Sequence, residues 1–387
     1  MRRRFTIQKT QTFDSSNYLT IEVLEDNLTV TFTKDIEYGI DGKGWIKLNA
    51  GNETRPINIG QTLSFRGEFT PDKSTGIGTF TISKKCNLKG NCMSMLFGDN
   101  AANNYSLSGK NYAFYKLFYK CTNIVNVDSN FLPATTLAPN CYEYMFNNCS
   151  SLTTAPELPA TTLASYCYSH MFSLCENLVN APELPATTLA SYCYASMFYA
   201  CYDLKTAPKL PARTLATYCY SHMFDGCRSL VNAPELPATK LATYCYYNMF
   251  SSCRSLVNAP ELPATTLKDD CYEHMFDSCR GLTTVPKLPA TTLAKYCYYG
   301  MFWNCSSLTT VPELPAATLK NDCYSYMFYG CKNLNYIKML ATKTASFSLY
   351  NWVYGVSSTG TFVKNAAMTS LPTGTSGIPS GWTVQNA

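Results

Sequence analysis

One 26-residue unit recurs eight times in this chain without an insertion or deletion. Leu132-Pro133-Ala134-Thr135-Thr136-Leu137 opens the first copy, and the same phrase, with single substitutions, returns at Leu158, Leu184, Leu210, Leu236, Leu262, Leu288 and Leu314. A fixed period of this length marks a stacked array, whose units bury their apolar faces only against their neighbours. The 387 residues would otherwise allow two or three domains. The period makes most of them one body, with a long uniform surface that suits binding better than chemistry.

The third copy shows what each unit is expected to build. Ala190, Cys193, Tyr194, Met197, Phe198 and Cys201 fall at i, i+3, i+4, i+7, i+8 and i+11, the apolar stripe of an amphipathic helix about three turns long. Thr187 or Thr188 stands where an N-cap hydroxyl belongs. Leu204 to Ala207 reads as a short strand, stopped by Pro208, and Pro185 opens the following turn. Strands pair at about 4.8 Å whereas helices approach no closer than roughly 8–10 Å. The expected fold is therefore an α/β solenoid: a leucine-rich-repeat arc of strand-helix units with the strands on its concave face. A period of 26 lies inside the leucine-rich range.

Four regions follow. Residues 132–339 hold the eight repeats. Residues 86–131 read as degenerate capping repeats, since Phe114, Leu117, Phe118, Cys121 and Ile124 echo the pattern and Cys92, Leu96 and Phe97 echo it weakly. Residues 340–387 read as a C-terminal cap and tail. Residues 1–85 carry no repeat. Their β-rich runs, Tyr18–Val23, Leu28–Thr33, Trp45–Leu48, Gln61–Phe69 and Gly78–Ile82, predict a small antiparallel sandwich or barrel.

Composition narrows the functional classes. Net charge is only +5 and no basic block exceeds Arg2-Arg3-Arg4, so nucleic-acid binding is not expected. No apolar run follows those arginines, so no Sec signal is recognised, and nothing approaches a membrane span. The expectation is a chain made in the cytoplasm and not inserted in a membrane. Sixteen of the 19 cysteines form two columns, Cys141 to Cys323 and Cys149 to Cys331. Their eight-residue gap does not match zinc spacing, and buried thiols pack like short hydrophobes. They are expected to be interior filling. His170, His222 and His274 share one repeat position two rungs apart and read as surface residues. No catalytic motif, metal set or cofactor fingerprint is present, so neither an enzyme nor a cofactor is expected.

Positions that vary between copies are where function can reside. On the expected convex face they include Tyr199, Tyr202, Tyr247, Tyr299, Trp303 and Tyr329, aromatics suited to stacking on sugars or anchoring a protein. The alternative is that neighbouring rings merely cover one another, and the more regular column Tyr166, Tyr192, Tyr218, Tyr244 and Tyr296 reads as packing. On the concave strand Asn180, Lys205, Asn232 and Asn258 offer a shallow hydrogen-bonding strip, or strand-compatible filler. The column Glu157, Glu183, Lys209, Glu235, Glu261, Lys287 and Glu313 reads as solvated charges whose lysines relieve repulsion.

The phrases Cys-Tyr-x-x-Met-Phe-x-x-Cys-x-x-Leu and Ala-Pro-Glu-Leu-Pro-Ala-Thr-Thr-Leu resemble BspA-type leucine-rich repeats, abundant in surface proteins of gut Bacteroides. The ending Ile378-Pro379-Ser380-Gly381-Trp382-Thr383-Val384 is similar to tails on such proteins in Bacteroides and their phages and prophages. The resemblance covers about residues 86–387. It implies adhesion to a protein or glycan, without a cofactor. Exported members carry a signal peptide, and none is recognised here. The expectation is thus a phage virion protein, a tail or head appendage such as a tail fiber. Its arc would contact a bacterial surface protein or glycan, and residues 1–85 would dock to other virion proteins. A homo-oligomer or lattice joined through exposed tyrosines, and a bacterial cell-surface adhesin binding a host protein or glycan, are the alternatives.

Overall fold

A computed structural model describes residues 12–387; Arg2 to Arg4 and Phe5 to Gln11, read above against a signal peptide, lie outside the described residues. The chain opens with β1 (Leu19–Val23), β2 (Val30–Phe32), β3 (Ile36–Ile40), β4 (Lys43–Leu48), β5 (Thr62–Arg66), β6 (Phe80–Ile82), β7 (Cys86–Gly90) and β8 (Ile124–Val127). Six of these strands form one open sheet in the order β4-β3-β5-β1-β7-β8, while β2 and β6 pair separately. Among the described residues no barrel closes. Leu19, Ile21, Leu63, Phe65 and Leu88 fill the core beneath this sheet.

Two of these strands were not anticipated. In β3, Ile36, Tyr38 and Ile40 alternate with Glu37 and Gly39 over only five residues, and the strand needs its glycine. A Cβ there would stand 2.6 Å from the Gly44 carbonyl and 2.6 Å from the Phe13 ring. In β7, the sequence Cys-Asn-Leu-Lys-Gly gives little period-2 signal, and partners on both edges supply its order. β7 pairs antiparallel with β1 and parallel with β8. The sheet thereby changes from antiparallel to parallel at the point where the repeats begin.

From β8 a parallel ladder with one residue pair per rung runs Asn126, Thr154, Asn180, Thr206, Asn232, Asn258, Thr284. It resumes at Thr310 and passes into β9 (Tyr336–Met339), which pairs with β10 (Thr361–Lys364) and then β11 (Thr383–Asn386). A second ladder links Thr162 to Thr188, Thr214 to Lys240 and Thr266 to Thr292. Thr188 therefore serves as a ladder residue and not as a helix cap.

The expected helices do not form. The sole α-helix among the described residues, α1 (Ser94–Phe97), precedes the eight units. In its place each unit carries a ribbon of consecutive turns. Cys193, Ala195, Met197, Tyr199 and Cys201 each donate an amide three residues back, at 3.2 Å throughout. Tyr192, Tyr194, Ser196, Phe198 and Ala200 instead donate to carbonyls of the next rung, at 2.7–3.1 Å. Odd amides close turns and even amides join rungs. Every backbone donor of the segment has a partner, as a buried segment requires.

This ribbon needs left-handed backbone at every fourth residue. In the third unit these are Tyr192, Ser196 and Ala200, with φ of 59°, 53° and 56°. Positive φ costs a non-glycine residue roughly 1–2 kcal/mol, which is why Asn140, Asn148, Gly226, Asp270, Gly300, Asp322 and Gly330 recur at these positions. The buried pairs Cys193-Tyr194 and Met197-Phe198 repeat every four residues, a spacing that a 3.6-residue helix and a four-residue turn share over so short a stretch. Burial was legible from that spacing; conformation was not.

Losing the helices also removes the helix-width reason for an arc. Successive Phe rings of the buried column, from Phe118 to Phe328, stack at centroid distances of 5.5–5.9 Å. That is far closer than the roughly 8–10 Å between packed helices.

All 19 cysteines are free and buried, in keeping with interior filling. The second column does more than fill space. Cys175, Cys201, Cys227, Cys253, Cys279, Cys305 and Cys331 donate Sγ–H to the carbonyl of a Phe on the preceding rung, at 3.0–3.1 Å. Burial pushes the thiols up, to about 12 at Cys141, Cys193 and Cys245.

Two expected outcomes follow. Ala200→Gly, at φ 56°, should stabilise the fold by about 1 kcal/mol, because glycine reaches that backbone without strain, whereas in a helix it would destabilise by about as much; the sign of the shift in thermal midpoint decides between ribbon and helix. A thiol-specific reagent should label none of the 19 cysteines of the native chain and all of them in denaturant. Rapid native labelling would contradict the buried columns.

Candidate functional site

The turn ribbon displays, on its solvent side, most of the aromatics picked out from the sequence. At the C-terminal end Trp303 lies 4.9 Å from Tyr326 and 4.6 Å from Tyr329, centroid to centroid. Tyr329 stacks on Tyr354 at 4.7 Å, Tyr326 meets Tyr350 edge-on at 5.4 Å, and Tyr299 meets Tyr326 edge-on at 5.4 Å. Tyr350 and Tyr354 are 44% and 49% exposed, so the cluster remains open to a partner. Tyr299, Trp303 and Tyr329 thus come together in one patch over three rungs. Tyr350 and Tyr354 were missed because the repeat register dissolves there.

Tyr199 and Tyr247 stand elsewhere, on a groove over the second to fourth units that also touches Tyr166, Tyr192 and Tyr218. Tyr166, Tyr192, Tyr218 and Tyr244 stack face to face at 4.5 Å each, which is the packing expected of that regular column. Their rings are half-buried, and those of Tyr166, Tyr192 and Tyr218 also form one wall of the groove. Tyr202 joins neither group; its ring lies 4.5 Å beneath the Arg228 guanidinium.

On the ladder face Asn180, Lys205, Asn232 and Asn258 are all exposed. Part of their hydrogen-bonding capacity is spent internally: Thr206 Oγ1 donates to Asn180 Oδ1 at 2.8 Å, and Thr284 Oγ1 to Asn258 Oδ1 at 2.7 Å. The strip is thus partly a structural ladder of side chains. Of the charge column, Glu313 pairs with Lys338 at 2.7 Å.

The histidines are half-buried instead of fully exposed, and they occupy left-handed ribbon positions with φ of 51–53°. His170 stacks on Tyr144 at 4.5 Å, and burial lowers it to about 4, holding the imidazole neutral. His222 contacts Asp225 at 2.9 Å and His274 contacts Asp277 at 3.4 Å. Among the described residues no three His, Cys, Asp or Glu side chains converge as a metal site.

One ionisable pair escaped the sequence reading. Asp270 and Glu273 replace residues that are tyrosine or small in most other units, a break in two columns that was the available signal. Burial, and the facing Asp270 charge, push Glu273 up to about 8, while burial also raises Asp270. A raised carboxyl favours the protonated native state, so its contribution to stability is full below the ordinary value of 4.5 and is lost as pH rises through about 8. Glu273→Gln should therefore match the parent's thermal midpoint below pH 4.5 and exceed it above about pH 8. A constant difference across that range would show that the pair does not share its proton in this way.

The family model for the BspA-type leucine-rich repeat region matches six copies, over residues 114–231 and 248–352, more than half of the chain. The chain belongs to the BspA-type leucine-rich repeat family. No curated protein and no solved structure matches it significantly. No helix among the described residues is long and apolar enough to cross a membrane.

Proposed function

We propose that this BspA-type repeat protein is a non-enzymatic adhesion protein whose turn ribbon contacts a bacterial surface protein or glycan. The observation that carries the reading is the aromatic patch of Tyr299, Trp303, Tyr326, Tyr329, Tyr350 and Tyr354. Large amphipathic rings give contact area at low entropic cost, and contiguous exposed patches of them mark interaction sites. The finer reading is a phage virion appendage, docked to the particle through the N-terminal β module. It is supported by the junction of a non-repeating module with a uniform array, and by the likeness of the Ile378–Val384 ending to phage-borne tails.

A second reading, self-assembly, is favoured by one feature. β11 lies at the end of its sheet with all four residues exposed and no charged side chain, and such edges invite a further strand.

Pull-down from bacterial envelopes with the purified chain tests the first reading. Trp303→Ala and Tyr329→Ala should each weaken capture about tenfold, the cost of losing one buried aromatic anchor. Unchanged capture by both would move the site away from this patch. Particles that still incorporate a chain lacking residues 1–85 would remove the docking role, and concentration-dependent sedimentation abolished by Val384→Lys would favour assembly.

A further inference from the structure

The groove over the second to fourth units has its own chemistry, distinct from the patch around Trp303. It has a volume of about 480 Å³. It exists because one repeat position changes size. The position holds Glu143, Tyr247, Glu273 and Tyr299 in the first, fifth, sixth and seventh units; it is small at Ser325 in the eighth, but small in succession only at Ser169, Ala195 and Ser221 in the second to fourth. Those three small residues are buried and form the floor. The missing side chains leave a trench three rungs long, running along the stack, with Glu143 at one end and Tyr247 at the other.

We infer that this trench binds a neutral linear glycan lying along the stack axis, about one sugar ring per rung. This deepens the adhesion reading above and rests on it. The lining holds no lysine or arginine, so nothing there pairs with phosphate, sulfate or carboxylate. Its polar groups are phenol and serine hydroxyls, the imidazoles of His170 and His222, and the Glu143 carboxyl at one end, all of which exchange hydrogen bonds with sugar hydroxyls. Tyr199, 40% exposed, supplies apolar surface.

An extended peptide fits less well for two reasons. The floor backbone has no free amide to pair with: Ser169, Ala195 and Ser221 each donate within their own turn, and each accepts from the preceding rung. The wall also repeats at the 4.5 Å spacing of the tyrosine rings, whereas same-face residues of a strand recur at roughly 6.6 Å. A pyranose unit with its linking oxygen is comparable in length to one rung.

Affinity electrophoresis of the full chain, in native gels containing xylan, mannan, a β-glucan or an α-glucan, tests this, with dextran sulfate as the charged control. At least one neutral polysaccharide should retard the chain, and added salt should not abolish the effect. Ala195→Tyr installs the side chain that Tyr247 and Tyr299 already carry at this position, so it refills the trench within a fold that tolerates it. It should weaken retardation at least about tenfold with an unchanged thermal midpoint. Retardation by no neutral polysaccharide, by dextran sulfate alone, or equally in Ala195→Tyr would overturn the inference. Envelope capture that still depends on Trp303 in that case would leave the adhesion reading standing, with a protein as its ligand.

Discussion

The alternation of backbone amides along the turn ribbon is the constraint on which everything else rests. Odd residues close local turns and even residues reach the next rung, so the ribbon is held to its neighbours as a β-strand would be. Hydrogen-bonded rungs set the side-chain columns in register, which is why buried Phe and Tyr rings stack at nearly constant distance over the whole array. The cost is backbone strain at every fourth residue. It is offset by an amide-to-carbonyl hydrogen bond between rungs at every second residue and by a continuous apolar interior.

The same register explains how binding surfaces arise on so uniform a body. A substitution at one column position does not disturb the rung, because ribbon geometry depends on the backbone and on the buried pairs. Exposed columns are thus free to change size and polarity from unit to unit. Three small residues in succession open a trench; aromatic residues in succession raise a ridge; an Asp270–Glu273 pair sets two carboxyls side by side, and burial raises both. The thiols show the complementary case. In the second column each must be small enough for the interior and still donate to a carbonyl of the rung before, and few side chains other than Cys combine both properties.

How much was legible in the sequence varied by element. The unit boundaries, the buried positions and the free cysteine columns all followed from periodicity. So did the stacking of Tyr166, Tyr192, Tyr218 and Tyr244. The helix assignment failed because apolar pairs at four-residue spacing satisfy both templates over eleven residues, and propensity alone does not show where amides go. Asn, Asp, His and Gly recurring one residue before the buried pairs carried the correct signal, since these residues tolerate positive φ best. β3 and β7 were missed for a different reason: each alternates over only five residues, too short a run to stand out, and partners on both sides hold them.

By itself the sequence determined the period, the interior and which positions were left free, because burial of identical apolar pairs depends only on their spacing along the chain. Only the tertiary structure decided that the second element of each unit is a ribbon of turns, because that choice depends on carbonyls of the adjacent rung accepting every second amide. It also decided which free positions meet. Trp303 joins residues beyond the repeats, and Ser169, Ala195 and Ser221 become one floor. Residues 26 apart become neighbours only when rungs stack in strict register.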